Sequence, residues 1–205
     1  MPALPLGPPP YSLTNDGGLP VTRMRPGTLI RISRHTSGEP HFGCSGGNRF
    51  DAPGCLSDTP EFHSCYLGSS LDVAIAESLL HDEVPVNGQF RISYDALKQS
   101  YVHRFTGSAL RMLDLTGATL KRLSGHADLA GTAAYAVTQQ WSLAVFHNPL
   151  SFDGFVYMSR HFNTGRAVML FDRAAVRLHG VPLPLALTDT PGFAAAASAF
   201  HIVAA

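Results

Sequence analysis

The sequence predicts an α+β fold. Short strand-like stretches outnumber helices, firm helical signals appear at only two places, and the two kinds of element do not alternate in the rhythm of a parallel βαβ sheet. With 205 residues, the chain has the size of a single domain with a real core.

Residues 1–27 hold seven of the fifteen prolines: Pro2, Pro5, Pro8, Pro9, Pro10, Pro20 and Pro26. Such a segment is not helix and is poor strand, because proline lacks a backbone donor and has a fixed φ. It reads as an extended arm, disordered or laid over the domain or a partner. The single domain is then residues 28–205. From Thr28 to Ser33 the chain alternates, with Thr28, Ile30 and Ile32 on one face and Leu29, Arg31 and Ser33 on the other, a strand with an arginine at its middle. The stretch from His35 to Phe62 is rich in Gly, Pro, Asp and Ser, and loops of this length usually carry function. Inside it, Gly46-Gly47-Asn48-Arg49-Phe50 sets two permissive residues before an arginine. That pattern lets backbone N–H groups and a guanidinium fork approach an anion, although an ordinary tight turn has the same spelling.

Ser64–Leu67 reads as a buried strand, and a Gly-Ser turn leads from it into a helix. Ser69 or Ser70 can cap this helix, and Ser69 with Asp72 three residues on is a capping-box signal. Leu71, Ile75 and Leu79 form one apolar stripe. Glu77 lies off that stripe with Val73, Ala74, Leu80 and His81 as neighbours. A carboxylate among alanines and aliphatics is either solvated at an edge or held for chemistry. Further strands are expected at Gln89–Ile92, Tyr101–Thr106 and Ala109–Leu115. The second helix is expected over Gly131–His147, with Thr132 a candidate cap and Asn148-Pro149 the stop; Trp141 on it reads as core. In the next strand Phe155, Tyr157 and Ser159 share a face, which places Ser159 where a buried strand ends. Ala167–Phe171 and Val176–Leu178 are the last strands expected, and the alanine-rich tail reads as a short helix.

Lys plus Arg and Asp plus Glu both number 15, so no net field draws nucleic acid or a membrane surface. Charged residues make up 15% and hydrophobic ones 45%, a low charge content that suggests a partner or an oligomer. Cys44, Cys55 and Cys65 form no C-x-x-C and read as free thiols in a reducing cytosol. The first ten residues lack a secretory pattern, and no apolar run reaches the ~20 residues of a membrane span. Dinucleotide G-x-G-x-x-G and P-loop spellings are absent, as is H-E-x-x-H, so no dedicated metal site is expected.

The ordered set of residues is more telling than any member. Arg31 stands in the first strand. A Gly-Gly-x-Arg-aromatic loop follows, with Pro53-Gly54 just after it. Next come a strand carrying Tyr66 and a helix reading A-x-A-E at Ala74, Ala76 and Glu77. An L-D-L strand follows at Leu113–Leu115, and last an Asp153-Gly154 turn into Tyr157-x-Ser159-Arg160. This set, running from about Leu29 to about Leu178, resembles the RES-domain toxins of bacterial RES–Xre toxin–antitoxin pairs. Arg49–Gly54 reads RFDAPG where many relatives carry an arginine–tryptophan–asparagine type of sequence.

The resemblance implies an ADP-ribosyltransferase-like fold, in which two small, mainly antiparallel sheets form an NAD cleft with flanking helices. It implies cleavage of NAD at the nicotinamide–ribose bond, with ADP-ribose passed to a protein target, to water or to phosphate. It also implies a cytoplasmic enzyme with NAD as co-substrate and no metal, and an Xre-like antitoxin that blocks the cleft. Glu77, Arg31 and Ser159 are then the catalytic candidates, and Arg31, Arg49, Tyr66 and Ser159 the NAD-binding ones. The chemistry suits them. Glu77 can stabilise a ribosyl cation, the arginines can pair with pyrophosphate, Tyr66 can stack on the nicotinamide, and Ser159 can hydrogen-bond the ribose or the carboxamide. Each has a plainer reading: an Arg31–Glu77 structural ion pair, Tyr66 as core, Ser159 as a turn residue. An RNA-directed toxin and a non-catalytic partner-binding module are the rival readings. The even charge balance speaks against the first.

Overall fold

The computed structural model describes residues 4–56 and 59–205. In chain order the elements are α1 (Tyr11–Asn15), β1 (Thr22–Met24), β2 (Ile30–Ser33), β3 (Ser64–Gly68) and α2 (Leu71–Ala74), the last continued by a π turn over Ile75–Leu79. Then come β4 (Phe90–Ile92), α3 (Tyr94–Lys98), β5 (Tyr101–Thr106), β6 (Leu110–Asp114), α4 (Gly117–Arg122), α5 (Asp128–Gly131) and α6 (Tyr135–His147). The chain ends with β7 (Gly154–Met158), β8 (Arg166–Phe171), β9 (His179–Gly180), β10 (Leu185–Ala186), α7 (Phe193–Phe200) and β11 (Ile202–Ala204).

The fold is α+β, as expected. Its main sheet runs β1-β6-β7-β8-β3-β2-β5-β10, with β9 also on β5, and every pairing in it is antiparallel except β6 with β7. The join between β3 and β2 is narrow, Ile30 opposite Gly68. It divides the sheet into two leaves, one centred on β7 and β8 and one on β5, and α2 packs against both strands of the join. β4 and β11 pair in parallel as a separate small sheet.

Both faces of the larger leaf are covered, which explains its nearly unbroken apolar strands. Along β7 and β8, Phe155, Tyr157, Met169 and Phe171 point to one core, beneath Trp141 of α6, while Val156, Val168 and Leu170 point to the other. A third core, with Ile30, Ile32, Ile75 and Leu97, lies between the smaller leaf and α2, α3 and α7.

Several local expectations are corrected. The proline-rich arm, expected to hold no helix, contains a helical turn and an edge strand; of the placements expected for it, it takes the one laid over the domain. Leu6, Leu13 and Leu19 are buried, Trp141 Nε1 donates to the Gly7 carbonyl at 2.9 Å, and the Asn148 amide donates to those of Leu13 and Asp16. Proline at Pro10 sits just before the first turn of α1, where its missing donor costs nothing. The helix expected over 131–147 begins only at Tyr135, because α5 takes up the segment before it; the Thr132 hydroxyl accepts from Ala134 N at 3.0 Å without capping α6. Val176–Leu178 is not a strand: a 3-10 helix spans Asp172–Arg177. Cys44 and Cys55 are not free thiols but are joined, with Cα atoms 5.5 Å apart; Cys65 is free and buried.

Candidate active site

Glu77 owes its place to a tight strand-to-helix return. A Cβ on Gly68 would stand 2.6 Å from Ala74 N and 2.9 Å from Ser70 O, so only glycine lets α2 fold back this closely on β3. Ser70 supplies the cap, accepting from Val73 N at 3.2 Å. Ser69, the capping-box candidate, instead donates to the Arg166 carbonyl at 2.6 Å. After Ala74 the helix widens into the π turn, closed by Leu80 N to the Ile75 carbonyl at 3.0 Å. Such turns insert one residue into a helix and recur at functional sites. Here the turn keeps Ile75 and Ala76 buried and leaves Glu77 half-buried on a cavity wall.

That cavity, of about 380 Å³, is lined among others by Arg49, Tyr66, Glu77, Tyr157, Arg160 and His161. An annex of about 170 Å³ shares Tyr66, Glu77, Ser78 and Tyr157 with it and adds Arg31. Glu77, Arg49 and Tyr66 therefore meet in one cavity, and Arg31 reaches it through the annex. Ser159 stands behind Glu77. Its hydroxyl donates to Glu77 Oε1 at 2.5 Å and accepts from Phe162 N at 2.9 Å. Ser159 itself lines a separate, mostly apolar cavity of about 310 Å³ beside Leu115, Leu129 and Met158.

Arg31 does not pair with Glu77. Its Nε lies 2.7 Å from Oε2 of Glu39, and the two form a buried ion pair. One terminal nitrogen donates to the Tyr66 carbonyl at 3.0 Å and contacts the Cys65 sulfur at 3.7 Å. Burial pulls the Arg31 pKa down, but Cys65 and Glu39 outweigh it and the net shift is upward. Burial likewise pushes Glu39 up, and Arg31 brings it below the usual carboxylate value. Burial drives the Cys65 thiol up to about 12, so it is not a nucleophile at neutral pH.

Arg49 is set by the loop around Asp51, a side chain with no exposed surface. Asp51 Oδ2 accepts from the backbone N–H groups of Ser45, Gly46 and Asn48 at 3.2, 2.9 and 3.2 Å, and Oδ1 accepts from the Ser64 hydroxyl at 2.7 Å. The glycine-rich loop thus folds around its own carboxylate, and the Cys44–Cys55 link closes it from outside. Arg49 then reaches across to donate to the Thr132 carbonyl and lies 4.8 Å above the Tyr135 ring. Burial and the facing Arg160 lower its pKa, against a pull upward from Tyr135. Tyr66 is fixed by its hydroxyl, which accepts from Phe50 N at 3.0 Å.

Sequence reading missed Tyr157, Tyr135, His81 and His161 as cavity residues and left Arg160 without a role. The signal for Arg160 and His161 was their position directly after Ser159. It also missed that Gly43-Cys44-Ser45-Gly46-Gly47 spells G-x-S-x-G. This is no nucleophile elbow: Ser45 sits in the loop, and its hydroxyl donates to Asp51 at 3.1 Å. Among the described residues, no group of three or more His, Cys, Asp or Glu is placed to hold a metal ion. No helix there is long and apolar enough to cross a membrane.

The family model of the RES domain matches residues 28–191, most of the chain. The chain belongs to the RES-domain family. No curated protein matches it. Among solved structures this RES domain is similar to a chain of the M. tuberculosis MbcT–MbcA toxin–antitoxin complex. Identity is 14%, the match covers 88% of this chain and 90% of that one, and the TM-score is 0.54. The likeness is one of fold, and it agrees with the divided sheet and flanking helices.

Proposed function

We propose that this RES domain is the toxin of a toxin–antitoxin pair and that it cleaves NAD at the nicotinamide–ribose bond, passing ADP-ribose to a protein acceptor in the bacterial cytoplasm. The observation that carries the reading is Glu77, a carboxylate held by Ser159 on a π turn, in a cavity walled by two arginines and three tyrosines. Departure of nicotinamide leaves positive charge on the ribose, and a fixed carboxylate in a partly dry site stabilises that charge strongly. The cavity volume of about 380 Å³ falls within the range of small-molecule sites, about 300–1,000 Å³.

Arg49 supplies a guanidinium fork for the pyrophosphate. Arg31, on the annex wall and paired with Glu39, adds a second positive charge beside the cavity. Tyr66 and Tyr157 offer ring surface for the nicotinamide. Burial pushes both phenols well up, so they stay protonated and act as surfaces and donors. An Xre-type antitoxin covering the cleft is the partner, a reading that the similarity to one chain of a toxin–antitoxin complex supports.

Phosphate as the acceptor is the second reading, favoured by the two like charges of Arg49 and Arg160 facing one cavity. Nicotinamide release from NAD by the purified chain, with and without phosphate, tests both, together with mass spectrometry of proteins from a bacterial lysate. ADP-ribose on a protein supports the first reading, and phosphate-dependent release without labelling supports the second. No release from the folded chain removes both.

A further inference from the structure

We propose that His161 is the base that takes the proton of the acceptor when the acceptor attacks C1′ of the ribose. The proposal rests on the NAD-cleaving reading above and adds a residue to it.

Geometry puts His161 there. The Ser159 hydroxyl that donates to Glu77 also accepts from Phe162 N, so one group fixes both the carboxylate and the turn that carries His161. Phe162 anchors the far end of that turn, its ring 5.6 Å from the Phe200 ring. His161 is half-buried and lines the Glu77 cavity. Its imidazole lies against that of His81, with centroids 4.6 Å apart and the planes inclined at 43°, and His81 is itself held by Asp82, Nδ1 to Oδ1 at 2.8 Å. Two elements, the end of the π turn and the loop after β7, thus clamp this ring at the cavity.

Its surroundings keep it able to accept a proton. The groups facing it are Glu77, His81, Arg160 and Arg49. Burial lowers its pKa, Glu77 pulls it up, and the three basic groups push it down. The net direction is downward, so the ring is neutral at pH 7. The other groups in the cavity are poorly suited. Glu77 is committed to the ribose and already accepts from Ser159. Tyr66 and Tyr157 hold their protons, arginines have none to gain, and the Asp82 side chain is 93% exposed.

The step balances. The C1′–N bond breaks with its electron pair going to nicotinamide, which leaves neutral. A lone pair of the acceptor oxygen forms the new C1′–O bond, and the acceptor's proton passes to His161, which later returns it to water. No oxidant or reductant takes part.

The test is the pH profile of nicotinamide release by the wild-type chain and by His161→Asn, with His161→Gln as a second variant and thermal melting as the check on folding. In the wild type the rate should fall as pH drops through the His161 pKa, below the usual value of about 6.5. The variants should be slower by about 10²-fold at pH 7 and should lose that acid limb. Azide, a nucleophile with no proton to give up, should restore their turnover. A folded variant that keeps the wild-type rate overturns the proposal. So does a slow variant that keeps the acid limb and gains nothing from azide, since that describes a structural histidine. A wild type that releases no nicotinamide fails at the earlier step and takes the NAD reading down with it. Activity lost in Glu77→Gln but kept in His161→Asn strikes His161 alone.

Discussion

Replacing Ser159 by alanine removes one hydroxyl and two hydrogen bonds, the one donated to Glu77 Oε1 and the one accepted from Phe162 N. Ser159 is 2% exposed, so water does not readily take its place. A hydrogen bond to a charged group contributes about 1.5–3 kcal/mol. If that amount is lost from the transition state, where the position of the Glu77 carboxylate matters most, the rate falls roughly 10- to 150-fold. The loss should fall on kcat, with KM for NAD little changed, because Ser159 lies behind Glu77 and not on the cavity wall. The assay is steady-state nicotinamide release across NAD concentrations, with thermal melting to confirm a folded variant. A raised KM at constant kcat would refute the reasoning, since it would make Ser159 a direct substrate ligand. Unchanged kinetics would show that Glu77 needs no such support.

Three further predictions concern the frame of the site. Asp51→Ala leaves three loop N–H groups and the Ser64 hydroxyl without their acceptor. It should cost about 3 kcal/mol, seen as a melting point lower by roughly 6–12 °C. Gly68→Ala forces a Cβ to within 2.6 Å of Ala74 N; it should shift the Glu77 turn and reduce activity more than Ser159→Ala does, measured as kcat/KM. Glu39→Gln removes the charge beside Arg31 Nε and should cost about 2–3 kcal/mol in denaturant unfolding at neutral pH. Because Arg31 holds the Glu39 carboxyl below its usual 4.5, the wild-type advantage is present above that value. It should disappear as the pH falls through the lowered one.

What the sequence made legible followed from period and punctuation. The alternation of Thr28–Ser33 and Phe155–Ser159, the stop at Asn148-Pro149 and the strand before Gly68 all correspond to observed elements within a residue or two. The meeting of Glu77, Arg49 and Tyr66 in one cavity follows the order of motifs along the chain. What stayed hidden depended on long-range contacts. The proline-rich arm reads as disordered or laid over the domain or a partner, and only the hydrogen bonds that Trp141 and Asn148 donate to its carbonyls decide between these. The π turn leaves no mark in a pattern that already fits an α-helix at Leu71, Ile75 and Leu79. The plainer reading of Arg31 and Glu77 was an ion pair between them, yet Glu39, on a loop with no period of its own, takes the arginine, and Ser159 takes the glutamate. The cysteines illustrate the same limit, since counting them gives no sign that Cys44 and Cys55 lie back to back across the Asp51 loop.

The account stands on the carboxylate of Glu77 acting on NAD. The measurement that tests it most directly is nicotinamide release by the purified wild-type chain and by Glu77→Gln, which keeps the shape and an oxygen for Ser159 but removes the charge. The prediction is release by the wild type and a fall of about 10²–10³-fold in the folded variant. Equal rates in the two proteins, or no release by either, would contradict it.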